Sequence, residues 1–360
     1  MVLIRTLSVS LASPFTFVVV LFAVFMFPVE AADLLIFPSI TSTHQSKSDA
    51  ELADKKFVPA ADIFYANEFN QTRLLIEYFA SSREKDLERF QLGWHILPGT
   101  LLWAGRFHNA LSFWNTQNHH GDFLQSSLSR PSIANYEDRH GPLPAHISGL
   151  LLESSRTIGD SEINYIAGVG IGPTFNRTLK PLDLLDPVQP GKIAASFRLG
   201  YQPEVGNPDQ FGVALGYARI PVVASLDPTI NEVRQTILST FLNFEQNKFH
   251  LIGELFVFDD RVSGNNTNRY TTLSGYLQPE YKLGESARAT VYGRVESTPH
   301  ANQDRYLALL PEFSPHQTVV GFRFDLTPFQ AIKIEAARTR RQDGLEFNSI
   351  SAQWSMILPL

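Results

Sequence analysis

The sequence predicts an all-β chain: a transmembrane antiparallel β-barrel of about 14–16 strands, with short periplasmic turns and longer extracellular loops. Three observations predict it. Segments throughout the chain alternate apolar and polar residues, the period of a strand with two unlike faces. The connections between them are alternately short and long. The chain opens on a secretory signal pattern, after which it has no apolar run of about 18 residues that would make a membrane helix.

Residues 1–31 carry a short head with Arg5, a mainly apolar stretch from Phe15 to Phe27, and Val29-Glu30-Ala31 before Ala32. The alternative is an uncleaved anchor, because the apolar stretch extends upstream through Leu11 and Ala12. Ser13, Pro14 and the small-residue site at Ala31-Ala32 favour a signal peptide cleaved before Ala32. The chain has no cysteine, so it folds in an oxidising compartment without disulfides. It has 27 Phe and 11 Tyr, yet its mean hydropathy is only -0.08. A barrel wall explains both, since lipid-facing and lumen-facing residues alternate and average out. The net charge of -6 argues against a nucleic-acid partner and leaves a pore open, where only the lumen's charge matters.

Residues 32–60 show no sustained period and are polar from Thr41 to Lys56, so they read as an N-terminal lead-in to a single barrel domain at 61–360. Strands are expected at Arg73 to Phe79, Phe90 to Ile96, Leu101 to Phe107, Lys192 to Gln202, Phe211 to Tyr217, Phe249 to Val257 and Arg288 to Glu296. Near the C-terminus Val320, Phe322, Phe324 and Leu326 alternate with Gly321, Arg323 and Asp325. After a Thr327-Pro328 turn, Ile332, Ile334 and Ala336 alternate with Lys333 and Glu335. Ile350 to Leu360 gives one more strand, and the rest come from 147–174, 220–244, 270–281 and the stretch before Asn70. Short turns fall at Leu97-Pro98-Gly99, Glu245-Gln246-Asn247 and Leu283-Gly284-Glu285; long loops are expected at 108–146, 175–191, 259–268 and 297–316.

The loop that follows Trp103-Ala104-Gly105-Arg106-Phe107 is too long to be idle. It carries His108, Phe113, Trp114, His119 and His120, then Leu124-Gln125-Ser126-Ser127 and Arg130-Pro131. Aromatic anchors imply that it folds inward or packs on the rim. Gly105-Arg106-Phe107 leading into this loop, with Leu124-Gln125-Ser126-Ser127, resembles the early-strand region of the phosphate-selective porin O and P group. The hairpin from Gly321-Phe322-Arg323-Phe324-Asp325 to Ile332-Lys333-Ile334-Glu335 is similar to the late hairpins of that group. The resemblance covers about a third of the chain and implies a passive diffusion pore in the outer membrane. Two features depart from it. The chain ends in Leu360 rather than an aromatic residue, and its lumen lacks dense lysine and arginine ladders, so phosphate selectivity does not carry over.

The expected lumen is mixed. Arg73, Arg89, Arg106, Arg198, Arg288, Arg294, Arg323 and Lys333 face Glu77, Glu153, Glu254, Glu296, Asp325 and Glu335, and Arg89 with Arg106 make the candidate constriction. His108, Trp114, His119 and His120 are the loop candidates. The histidines His108, His119, His120, His140 and His146 would reach a divalent metal if the loop folds back, but their spacing matches no standard zinc motif. They read as polar rim residues, with no metal and no cofactor. His250 has no nucleophile at a matching spacing, so no catalytic residue and no enzyme is expected. The run Gly168-Val169-Gly170-Ile171-Gly172 has no helix after it to bind a phosphate, and reads as close packing or room for an inward loop.

The sequence thus points to a porin-like channel for small hydrophilic solutes or ions in the outer membrane of a Gram-negative-type bacterium. Its partners would be outer-membrane lipid, the solutes and the barrel-assembly machinery, with no nucleic acid; monomer and homo-trimer are both open. The alternatives are a plugged barrel with a structural or assembly role and, from another class, a rim-site enzyme.

Overall fold

The computed structural model describes residues 32–47, 57–118, 121–184, 191–223, 226–285 and 287–359. The signal segment and two loop candidates, His119 and His120, lie outside the described residues. Sixteen antiparallel strands close into one barrel. The first seven are β1 (Ala32–Gln45), β2 (Phe57–Phe69), β3 (Thr72–Ser81), β4 (Lys85–Leu97), β5 (Thr100–His108), β6 (His146–Ile158) and β7 (Ser161–Ile171). A small hairpin, β8 (Thr174–Asn176) and β9 (Thr178–Lys180), leaves the wall. The wall resumes with β10 (Ile193–Gln202), β11 (Gln210–Pro221), β12 (Ile230–Gln246), β13 (Phe249–Gly264), β14 (Asn268–Leu283), β15 (Ala289–Ser297), β16 (His316–Thr327), β17 (Gln330–Arg340) and β18 (Glu346–Met356). The short β19 (Leu358–Pro359) adds two pairs to β1.

Closure corrects the reading of 32–60 as a lead-in. β1 pairs with β2 on one side and β18 on the other, setting Ile40 opposite Trp354 and Thr41 opposite Gln353. Its alternation is hidden because Leu34-Leu35-Ile36-Phe37 is apolar on both faces and Ile40 is the only apolar residue from Ser39 to Gln45, so the contrast in hydropathy is faint. A second correction concerns 259–268. β13 and β14 run on as a ladder to Val262 opposite Asn268, leaving only 265–267 as a loop.

The period-2 pattern decides which face meets which medium. On β16 and β17, Phe322 opposite Ile334 and Phe324 opposite Ile332 point outward, while Arg323 opposite Lys333 points in. Ile334 is 51% exposed and Lys333 is 0% exposed. Trp94, Tyr201, Phe211, Phe249, Tyr281, Phe324 and Phe329 are all exposed and lie close to the short turns, forming an aromatic belt on the turn side. Among the described residues no helix is long and apolar enough to cross a membrane.

The inner face departs from a uniformly polar lumen. On β12 and β13 the inward positions Val233, Ile237, Phe256, Phe258 and Val262 are buried, together with Phe107, Trp114, Leu143, Phe175, Leu179, Tyr306 and Leu310. Phe107 lies on β5, and the other six of this second group belong to three inserted pieces: the 109–145 loop, the β8–β9 hairpin and the 298–315 loop. They fill the loop-side half of the barrel with an apolar core, and each large side chain removed from water stabilises the insertion by about 1.5–3 kcal/mol. The wall makes room for them with small residues: Gly168 on β7, Ala194 and Ser196 on β10, and Ala214, Gly216 and Ala218 on β11 line one inner face. A Cβ at Gly216 would collide with Leu111 of the loop, and one at Gly168 would stand 2.9 Å from Phe107.

Candidate functional site

The described residues of the 109–145 loop cross the lumen and are held at points on either side of a short helix, α1 (Phe113–Gln117). Ser239 on β12 donates to the Leu111 carbonyl at 2.7 Å. Ser112 then caps α1, accepting from Asn115 N. Glu254 on β13 reaches the same helix end. Its carboxylate accepts from Ser112 Oγ at 2.9 Å, Phe113 N at 2.7 Å, Trp114 N at 3.0 Å and Tyr276 Oη at 2.7 Å. A buried carboxylate is tolerated there because four donors and the amide end of the helix replace water. Phe113 stacks on Phe241 at 4.7 Å, and Trp114 meets Tyr276 edge-on at 5.9 Å.

Beyond α1 the loop runs along the wall of β14–β18 and β1. Asp122 accepts from Ser39 at 2.5 Å and from Gln353 at 3.0 Å. Arg323 donates to the carbonyls of Phe123 and Gln125 at 2.6 and 2.9 Å, and Lys333 to those of Asp122 and Ser127. Glu335 accepts the amides of Leu128 and Ser129 at 3.0 and 3.1 Å, and Ser126 donates to Glu280 at 2.7 Å. Arg294 donates to the Ser129 and Arg130 carbonyls, both at 3.0 Å, while Glu296 accepts Ser132 N at 2.5 Å. Cations take carbonyls and carboxylates take amides. Every polar group of a buried loop backbone needs such a partner, and that is what the charges on this wall supply.

The candidate residues therefore divide. Glu254, Arg294 and Arg323 are inward, as expected, but bind the loop instead of facing a solute. Arg288 stands outside the strands; it is exposed, donates to the backbone carbonyls of Asp325 and Leu326, and lies over outward-facing Phe324. That places it on the turn-side rim, because the strand begins one residue later at Ala289. Arg106 follows Gly105, whose φ of 136° is one that side-chain-bearing residues rarely adopt, and its guanidinium meets Asp86 at 2.7 Å.

The remaining candidates stay together. Arg89 pairs with Glu77 at 2.7 Å and lies over the Phe64 ring. Glu153 accepts Trp103 Nε1 at 2.8 Å, and Arg73 lies over the Trp103 ring at 6.0 Å. Arg198 donates to Thr116 Oγ1 at 2.5 Å, joining β10 to α1. Between this wall and the end of α1 a cavity of about 420 Å³ opens towards the turns, lined by His95, Gln117, Glu153, Asn164, Arg198 and Gln210 among others. Thr116, Gln117 and Asn164 were not legible as site residues, since a single polar residue on a loop or strand has no signature before the loop's path is known.

On the loop side, Tyr306 donates to the Pro142 carbonyl at 2.7 Å and ties the two inserted loops. Burial pushes its phenol well above the usual range, so it remains a neutral donor. Burial likewise raises the Asp304 carboxyl, against hydrogen bonds led by that from Thr272 at 2.8 Å. Asp227 is held low by the Thr229 hydroxyl and amide, with Arg305 adding to them at 3.3 Å.

No family model and no curated protein sequence matches the chain. Among solved structures it is similar to the anion-selective porin from Comamonas acidovorans, with a TM-score of 0.60 at 10% identity over 91% of this chain and 99% of that one. It is also similar to Pseudomonas putida OprB, with a TM-score of 0.58 at 10% identity over 92% and 94% of the two chains. The outer membrane channel DcaP of Acinetobacter baumannii gives 0.55 at 9% identity over 91% and 96%. At these identities what is shared is the fold, the closed barrel of outer-membrane porins.

Proposed function

We propose that this chain is a channel of the outer membrane of a Gram-negative-type bacterium, passing small hydrophilic solutes or ions by passive diffusion. One observation carries the reading. The inserted loop leaves a cavity of about 420 Å³ against the wall of Glu153, Asn164 and Arg198, with Gln117 of α1 on its opposite side. The apolar outer faces and the aromatic belt suit lipid, which puts the short turns in the periplasm and the inserted loops on the extracellular side.

The mechanism is sieving by a charged constriction. Glu77 is compensated by Arg89 at 2.7 Å and Glu254 by the end of α1, so Arg198 and Glu153 in the cavity, with Arg73 over the Trp103 ring that donates to Glu153, are the charges left to act on a passing solute. Two cations against one carboxylate favour small anions moderately, and the adjoining amides of Gln117 and Asn164 replace part of a solute's hydration. The porin from Comamonas acidovorans is described as anion-selective, in keeping with this reading. The sparse cationic wall supports no dedicated phosphate site. Nothing in the proposed cavity pairs a nucleophile with a base, so the reading is transport without catalysis.

The test is single-channel recording of the refolded chain in planar bilayers, with folding checked by heat-modifiable gel mobility. Discrete conductance steps with a modest anion preference are expected. A folded barrel that stays silent at every voltage would overturn the channel reading.

A further inference from the structure

The inserted loop leaves the wall immediately after His108 and rejoins it at His146, and these two residues face each other as cross-strand partners on β5 and β6. Their rings lie 5.1 Å apart, edge to face, and both are buried. Glu88, on the irregular step where β4 slips register against β3, turns its carboxylate to the same point. One ligand atom from each of Glu88, His108 and His146 lies within 4.8 Å of the other two.

The hydrogen bonds fix what each ring can do. Glu137, on the loop itself, accepts the amides of Ala145 and His146 with one oxygen at 2.8 and 3.3 Å, and faces His146 Nδ1 with the other at 2.8 Å. A carboxylate so occupied accepts, so Nδ1 carries the proton and Nε2 is a lone pair in the neutral ring. That Nε2 lies 3.0 Å from Glu88 Oε2. Two lone pairs at this distance need a positive charge between them, either a proton or a metal ion. A proton needs only one imidazole; the second ring, His108, is what a metal site would add. The arrangement of a carboxylate holding the far nitrogen of a metal-facing histidine is the usual support of such a ligand. Charge agrees: around the two rings the carboxylates of Glu77, Asp86, Glu88 and Glu137 meet the guanidiniums of Arg89 and Arg106, which leaves room for a dication.

We infer that Glu88, His108 and His146 form a binding site for a divalent transition metal of the zinc type, and that the ion clips together the two ends of the inserted loop. Two imidazoles and one carboxylate suit such an ion, and the ligand atoms of a tetrahedral zinc site stand about 3.3 Å apart. Metal binding would draw the three ligand atoms, now within 4.8 Å of one another, to that spacing. Glu77, with Oε2 at 4.0 Å from His108 Nε2, is placed beside the fourth position. Because the site is buried, the ion enters as the loop docks, and its binding adds to the stability of the docked loop. The inference does not depend on whether the barrel conducts.

The experiment refolds the full chain with Zn²⁺ or Co²⁺ present, removes free metal, and measures metal per folded barrel, the visible absorption of the Co²⁺ form and the rate of proteolysis within 109–145. One equivalent of metal, Co²⁺ bands of a low-coordinate site with nitrogen ligands, and several-fold slower cleavage than in metal-free protein are expected. Glu88→Gln and His108→Gln should remove the equivalent, and Glu137→Gln, which leaves all three ligands in place, should weaken binding by about 10–100-fold. If the ligand variants fail to fold, the wild-type Co²⁺ spectrum and stoichiometry decide alone. Substoichiometric metal, an octahedral aquo-like spectrum, or equal retention by folded ligand variants would overturn the site and leave His146 as a protonated bridge between Glu88 and Glu137.

Discussion

The carboxylate of Glu254 accepts the hydroxyl of Ser112 at 2.9 Å, joining the middle of the barrel wall to the cap of a helix 142 residues earlier in the chain. The same carboxylate takes the next two amides and Tyr276, so one side chain fixes where the loop narrows the lumen. Replacing it with leucine strands these donors at about 1–3 kcal/mol each. Glu254→Leu should therefore undock α1 while the strands hold. The expected signs are faster proteolysis within 109–118 and larger, noisier conductance, with unchanged heat-modifiable mobility. Conductance and cleavage equal to wild type would show that the loop is held without this anchor.

Lumen charge should set selectivity. With Arg73 and Arg198 both changed to glutamine, the reversal potential under a salt gradient should move towards cations, whereas Glu153→Gln should move it the other way. A folded, open double variant with unchanged reversal potential would remove the cavity from the conduction path. Arg294→Gln serves as contrast: its guanidinium is spent on loop carbonyls, so loop cleavage should respond more than selectivity.

The two faces of β17 and β18 should tolerate substitution unequally. Ile334→Arg puts a charge into lipid and should cost about 2–4 kcal/mol if the site lies near the bilayer midplane. Gln353→Ser loses hydrogen bonds to Thr41 and Asp122, at about 1 kcal/mol each, and should leave the barrel formed. Urea titrations in bilayers compare them, and equal losses would contradict the assigned faces.

Acid should loosen the rim where Asp227 meets Arg305. The folded carboxyl is held below its ordinary value of 3.8, chiefly by Thr229, so its contribution is complete above that value and decays as the pH falls through the folded one. Hydrogen exchange in 226–230 should thus be flat from pH 7 to about 5 and accelerate, after correction for intrinsic rates, below about 4. Asp227→Asn should show the looser behaviour at all pH values. A wild-type profile already changing near pH 6 would assign the response to another group.

Processing before Ala32 is the remaining prediction, resting on the signal pattern alone. N-terminal sequencing of protein extracted from the outer membrane should return Ala32, and a return of Met1 would refute cleavage.

Alternation, taken with the spacing of the connections and the signal pattern, determined the architecture of this protein. In strands such as β17, with Ile332 and Ile334 against Lys333 and Glu335, a period of two residues states both the secondary structure and its two unlike faces, because each side chain's face follows from its own position. β1 escaped because its residues contrast too little, and only closure against Trp354 and Gln353 reveals it as a wall strand. The use made of the inward charges is a different kind of property. Arg323, Lys333 and Glu335 were readable as inward, yet whether they meet water, solute or loop backbone depends on a segment about 200 residues away in sequence. The same holds for His108 and His146, separated by a whole loop and adjacent only because β5 and β6 pair. Facing is a local consequence of backbone geometry, whereas partnership across a lumen is decided by the path of the inserted chain, and no short-range pattern encodes that path.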